Sequence, residues 1–252
     1  MDRNVSPLGS HLRGAGTVLA AAVASALLLT GCSSDSGDGG DTGDDAPASE
    51  EQAPEAVRFT ELPNACETVE GATIEEVVPE ASDEKGEELP SADVTSTNAC
   101  LWSGLDGYDF RSLTVTLKRF DSDAALGAGD SRAETFLQAQ GAEITDDETN
   151  EDIVDSRPED LGDEAVSLAF TAEKASGDSS REFRQHRVVV RTANVVVTVD
   201  YAGAGFEDAE LPEASAIQEG AERIASDAVA HLDALPDAGD DAEAEADAGD
   251  DD

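Results

Sequence analysis

The chain has 252 residues, with 15 Lys and Arg against 58 Asp and Glu and a formal net charge of −43. So acidic a chain repels nucleic acid and anionic lipid head groups, which argues against a nucleic-acid role and against membrane attachment through a basic patch. Charge of this kind favours solubility and says little about fold.

The chain opens with a weakly basic stretch, Arg3, His11 and Arg13, followed by thirteen apolar or small residues from Thr17 to Leu29 with only Ser25 polar. That run is too short for a membrane-spanning helix, which needs ~20 residues, and has the length of a signal-peptide core. Leu29-Thr30-Gly31-Cys32 resembles the bacterial lipoprotein signal, in which the cysteine is diacylated and the chain is cut before it. The reading is a signal peptide over 1–31 and a mature chain held by acyl groups on Cys32 at the outer face of the cell membrane. Removing residues 1–31 takes away Arg3, Arg13 and Asp2 and leaves 13 basic and 57 acidic side chains, a formal net of −44. Low Lys with high Asp, Ala and Gly suits a secreted protein of a GC-rich bacterium.

Residues 32–56 then read as a disordered tether. From Ser33 on they carry eight acidic residues, no basic ones and no large apolar side chain, too little to bury for a core to form. Residues 236–252 read as a matching disordered tail, with nine acidic residues and no basic one. No Asp-x-Asp-x-Asp-Gly loop supports a calcium-buffering role for it. Between them, 57–235 has the length of one domain with a real core.

Within that domain Asn64-Ala65-Cys66 opens a short turn or helix. Thr73 and Glu76 fit a capping box for a helix with Ile74, Val77 and Val78 on its apolar side, stopped by Pro79. Residues 80–97 read as an acidic loop, 99–102 as a short strand and 104–108 as a turn. In 110–120 Leu113, Val115 and Leu117 alternate with Thr114, Thr116 and Lys118, a strand. Residues 121–140 read as a helix carrying Ala133, Phe136 and Leu137, with Gly141 as its C-cap. A short strand is expected at Ile153-Val154 and a longer one over 165–171, with Val166, Leu168 and Phe170 on one face; 174–180 reads as a loop.

Residues 182–191 and 195–201 form two strands around a two-residue turn, Ala193-Asn194. That turn length sets Val190 against Val197 and Val188 against Val199 on one face, with Val189 against Thr198 and Arg187 against Asp200 on an outer face. A slip of one residue would mix the two sets. Residues 203–211 read as a loop. The last helix, 212–235, carries Ile217, Ala221, Ile224, Ala228, Leu232 and Leu235 on one stripe. Together these imply an α+β fold, an antiparallel sheet of about five strands packed by helices.

With Cys32 acylated, Cys66 and Cys100 remain. In an exported protein such a pair is more often a disulfide than two buried thiols. A metal site is the weaker reading, because His186 and His231 have no ligand-like spacing with a cysteine. Trp102 reads as packing over the disulfide rather than as a ligand platform.

Asn98-Ala99-Cys100-Leu101-Trp102, Leu161-Gly162-Asp163-Glu164-Ala165 and Arg191-Thr192-Ala193-Asn194-Val195, behind a lipobox and an acidic tether, resemble the actinobacterial secreted lipoproteins grouped as domain of unknown function 3558. The resemblance implies a cell-envelope location and a sandwich similar to PsbP and Mog1, and brings no catalytic residues with it.

No Gly-x-Ser-x-Gly, His-Glu-x-x-His, phosphate loop or Ser-x-x-Lys motif is present. Carboxylate pairs such as Asp121 with Asp123, or Asp146-Asp147-Glu148, arise by chance in a chain this acidic. His231, near a helix C-terminus, reads as a solvated, dipole-stabilised histidine. The expected protein is therefore a non-catalytic envelope lipoprotein with no cofactor and no metal, binding an unknown envelope protein or small ligand. A transporter's solute-binding lipoprotein is the alternative, and an envelope hydrolase a more distant one. Arg181, Arg184, Arg187 and Arg191 fall within eleven residues. Arg187 is spoken for by Asp200, which leaves Arg181 and Arg184 for a partner, unless the cluster only neutralises an acidic face.

Overall fold

The structure, a computed structural model, describes residues 54–176 and 179–237. The signal region 1–31, Cys32, residues 33–53 of the tether and residues 238–252 of the tail lie outside the described residues.

The chain enters through a single 3₁₀ turn, Ala65–Glu67, where the Asn64 side chain accepts from the Cys66 amide at 2.9 Å. It is followed by helix α1 (Gly71–Val77) and strands β1 (Glu87–Leu89), β2 (Thr97–Asp106) and β3 (Asp109–Arg119). Helix α2 (Gly129–Thr145), strands β4 (Asn150–Ser156), β5 (Glu164–Ser176), β6 (Ser179–Thr192) and β7 (Val195–Gly205), and helix α3 (Ala214–Asp233) complete it. The strands form one antiparallel sheet in the order β1-β2-β3-β7-β6-β5-β4. The fold is thus α+β, but with seven strands where about five were expected.

β1 lies in the expected acidic loop 80–97, while β4 lengthens the short strand expected at Ile153-Val154, and the two have a common cause. β1 is three residues of an acidic segment without alternation, and it is a strand because β2 offers it a free edge at Glu87–Leu101 and Leu89–Ala99. β4 is likewise acidic and irregular, with a register break between Glu151 and Val154 beside β5. Pairing with a neighbour, rather than local pattern, makes β1 and lengthens β4. For the same reason β5 and β6 continue through much of the expected 174–180 loop, and β7 continues to Gly205.

One face of the sheet is sealed by α3 and α1. Ile217, Ala221, Ile224, Ala228 and Leu232 bury against Leu113, Val115, Leu117, Val188, Val190, Val197 and Val199, so the stripe read in the last helix does the packing expected of it. α1 starts two residues before Thr73, which is no N-cap; its hydroxyl donates instead to Asp227 of α3 at 2.7 Å.

α2 covers the other face, packing Ala133, Leu137 and Ile144 against Val166, Leu168, Val189 and Val196. The outer face of the β6–β7 ribbon is therefore partly core. α2 also sits later than expected. Residues 121–128 are held by a loop in which the Asp123 carboxylate accepts from the amides of Ala125 and Leu126, and Ser122 Oγ accepts from the Gly129 amide. Gly141 does not end the helix, because Ile144, one turn on, completes its buried stripe.

The β6–β7 register is the expected one, with Thr192 opposite Val195, Val190 opposite Val197, Val188 opposite Val199 and Arg187 opposite Asp200. Arg187 Nε donates to Asp200 Oδ1 at 2.6 Å, and its Nη1 reaches Glu143 of α2 at 3.3 Å. Cys66 and Cys100 are joined in a disulfide, with Cα atoms 5.1 Å apart. Gly86 packs directly on it. A Cβ there would lie 2.4 Å from Cys100 Sγ and 2.6 Å from Trp102 Cε2.

Candidate functional site at one end of the sheet

Among the described residues six basic side chains are ion-paired with carboxylates: Arg58, Arg119, Arg157, Arg187, Arg191 and Arg223. For Arg187 and Arg191 the charge-neutralising reading of the arginine cluster is thus the right one. Arg111, Lys174, Arg181 and Arg184 have no carboxylate within ion-pair distance among the described residues. The register collects these four at one end of the sheet. Lys174 lies opposite Arg181 across β5 and β6, while Arg184 and Arg111 flank Gly203 of β7 from its two sides.

Residues directly opposite in an antiparallel pair share a face, and neighbours along a strand alternate. Arg181 and Arg184, three apart on β6, therefore point to opposite faces and form no single contact surface. Arg184, with Arg111, is on the α3 face, and the Arg184 Nε is buried without a partner among the described residues. Arg181 is on the other face, beyond the reach of α2. There its Nη1 donates to the Gly205 carbonyl at 2.5 Å and its guanidinium lies 4.1 Å from the centre of the Phe206 ring. Lys174 Nζ is 5.4 Å from the Phe183 ring centre. Phe110 meets Phe183 and Phe206 edge-on, with ring centres 6.1 and 5.7 Å apart. The result is a half-buried platform of three aromatic rings topped by two cations. Like charges placed directly across a strand pair destabilise it, so Lys174 opposite Arg181 works against the fold unless an anion comes between them. Tyr108, 58% exposed at the β2–β3 turn, stands beside this platform, its carbonyl accepting from the Phe206 amide.

The two ends of the described chain lie at the opposite end of the sheet. Phe59 is bound through its N–H and its carbonyl to the side chain of Asn194 in the β6–β7 turn. Arg58 pairs with Asp233 at 3.1 Å and Asp237 at 2.6 Å.

His186 is buried under α3, with Nε2 2.6 Å from Ser167 Oγ and no partner on Nδ1 among the described residues. Burial lowers its pKa, against an opposing pull from Glu222. A Ser–His pair closed to solvent, with no carboxylate to orient the ring, is arranged for packing rather than for nucleophilic chemistry. Trp102, 2% exposed against the disulfide, is core. Among the described residues no three His, Cys, Asp or Glu side chains gather as metal ligands, and no helix is long and apolar enough to cross a membrane.

No family model matches the chain, that of the 3558 group included, and no curated protein matches it either. One solved structure does, that of LpqN of Mycobacterium tuberculosis, described as involved in cell envelope biogenesis. Identity is 15%, the match covers 55% of this chain and 87% of that one, and the TM-score is 0.28. A likeness at that level fixes neither fold nor function.

Proposed function

We propose that this is a non-catalytic cell-envelope lipoprotein, anchored through Cys32, whose domain binds an anionic partner with the end of the sheet opposite Arg58 and Asn194. The observation that carries the reading is the gathering of Lys174 and Arg181, without carboxylate partners among the described residues, over Phe110, Phe183 and Phe206 in a chain of net charge −43. Helices on both faces of the antiparallel sheet support the PsbP- and Mog1-like sandwich that the family resemblance implies.

Anchoring is tested by intact mass: acyl groups on the wild type, none on Cys32→Ala. The binding surface is tested in cells with a photo-cross-linking residue in place of Tyr108 or, as the opposite-end control, of Glu61. Adducts are expected from position 108 and their loss in Lys174→Glu/Arg181→Glu; equal adducts from both positions would refute the placement. Salt gives a second readout. Between ~10 mM and ~150 mM the screening length falls from about 30 to about 8 Å. Whole-domain repulsion of an anion is then screened more than close contact, so association should speed up with salt.

A further inference from the structure

Above the α3 face of the sheet, between the C-terminal end of α1 and the first half of α3, lies a cavity of about 410 Å³. Its floor is Arg111 and Tyr201, its walls are Val77, Pro79 and Ala216, and Glu219 stands at its mouth. α3 turns small residues toward the sheet here: Ala216, on the cavity wall, leaves its volume open, and Gly220 lets the helix lie directly against Tyr201. Ala216 and Gly220 are one turn apart, and a Cβ at Gly220 would lie 2.8 Å from the Tyr201 ring. Arg111 donates Nη1 to the Phe110 carbonyl at 2.9 Å and has no carboxylate partner among the described residues. A guanidinium carries five N–H donors in a planar fork, so most of its capacity remains. Tyr201 is fixed beside it by donating its hydroxyl proton to the Val77 carbonyl. Burial pushes the Tyr201 hydroxyl up to about 12, with Arg111 opposing, so it stays protonated in that role.

The charges around the cavity select among ligands. Arg111 at the floor favours an anion. At the mouth Arg223 is taken by Glu76 at 2.6 Å, while Glu219 has no cationic partner within ion-pair distance among the described residues. A dianion such as phosphate would meet Glu76 and Glu219 on entry. We infer that the cavity between α1 and α3 binds a small zwitterionic amino acid, with its carboxylate on Arg111, its ammonium toward Glu219 and its side chain along Val77, Pro79 and Ala216. A bidentate carboxylate on a half-buried guanidinium is the strong form of such a contact. This site lies on the opposite face of the sheet from the Lys174–Arg181 platform and stands or falls independently of it.

The test is titration calorimetry on the full mature chain with L-alanine, L-leucine and L-glutamine. Isoamylamine, which is leucine without its carboxylate, and isocaproate, which is leucine without its ammonium, serve as controls. Saturable binding of at least one amino acid is expected, with a denaturation midpoint that rises with its concentration. Arg111→Gln should weaken binding about tenfold or more, the effect of losing a charged hydrogen-bond partner. Ala216→Leu, on an exposed stretch of α3, should abolish it by filling the cavity while unfolding as the wild type does. Three results would each overturn the inference: no heat with any of the three amino acids up to ~10 mM, isoamylamine binding as tightly as leucine, or Ala216→Leu binding like the wild type.

Discussion

Asn194 is the residue on which the closed end of the sheet depends. Its side chain is wholly buried. Oδ1 accepts from the Phe59 amide at 3.0 Å, and Nδ2 donates to the carbonyls of Phe59 at 2.9 Å and Phe120 at 3.0 Å. Asn194→Ala leaves three backbone groups without partners. Each buried unsatisfied group costs ~1–3 kcal/mol, which puts the loss at about 3 kcal/mol or more if nothing moves. The alternative is for the entry segment around Phe59 to come loose. That would wet the three groups but expose Phe59, now 3% exposed in the main core, and give up the ion pairs of Arg58 with Asp233 and Asp237. Loss of a buried Phe costs roughly 1.5–3 kcal/mol in transfer free energy, so fraying caps the damage at about the same 3 kcal/mol. For a domain of this size that is a midpoint lower by about 6–12 °C. Urea unfolding measures the total, and hydrogen exchange at the Phe59 amide tells the two routes apart. A loss below about 1 kcal/mol with the Phe59 amide still protected would show that these bonds do not hold the entry segment.

Three further outcomes follow from the same geometry. His186 is held below its usual pKa of 6.5 by burial, so the unfolded chain takes up its proton first. Its contribution should leave stability unchanged above that value and erode it as pH falls through the region just below; urea midpoints at ~pH 7.5 and ~5.5 should differ less in His186→Gln, and an unaltered difference would discount the effect. A double-mutant cycle on Arg187 and Asp200 should give a coupling of ~0.2–1 kcal/mol, because both groups keep some contact with water; zero coupling would mean that the ion pair adds nothing to the strand pairing. Replacing Cys66 and Cys100 by Ala should lower stability by about 3–4 kcal/mol for a loop of 34 residues in the chain-entropy model, and recovery of two alkylatable thiols from protein taken from the envelope would contradict the bond itself.

Short-range information was legible in the sequence. A two-residue turn and the parity of the valines around it were enough to set the β6–β7 register and the Arg187–Asp200 pair, because a sheet repeats every two residues and a slip would bury the wrong set. The α3 stripe was legible for the equivalent reason at a period of 3.6, and the Cys66–Cys100 pairing because two cysteines remained once Cys32 was assigned to lipid. Period two also puts Arg181 and Arg184 on opposite faces, but only once both lie on a strand, and β6 begins at Ser179 because β5 is there to pair with it. Only the tertiary structure decided the rest. β1 is a strand by virtue of a neighbour's free edge, since its own acidic sequence carries no alternation, and the same kind of pairing carries β4 beyond the expected Ile153-Val154. α2 turned an expected outer face into core, which no property of β6 or β7 announces. Asn194 and Phe59, 135 residues apart, and Arg111 with the α1–α3 cavity are brought together by chain crossings. A single turn looks the same in the sequence whether its side chain meets water or a distant backbone.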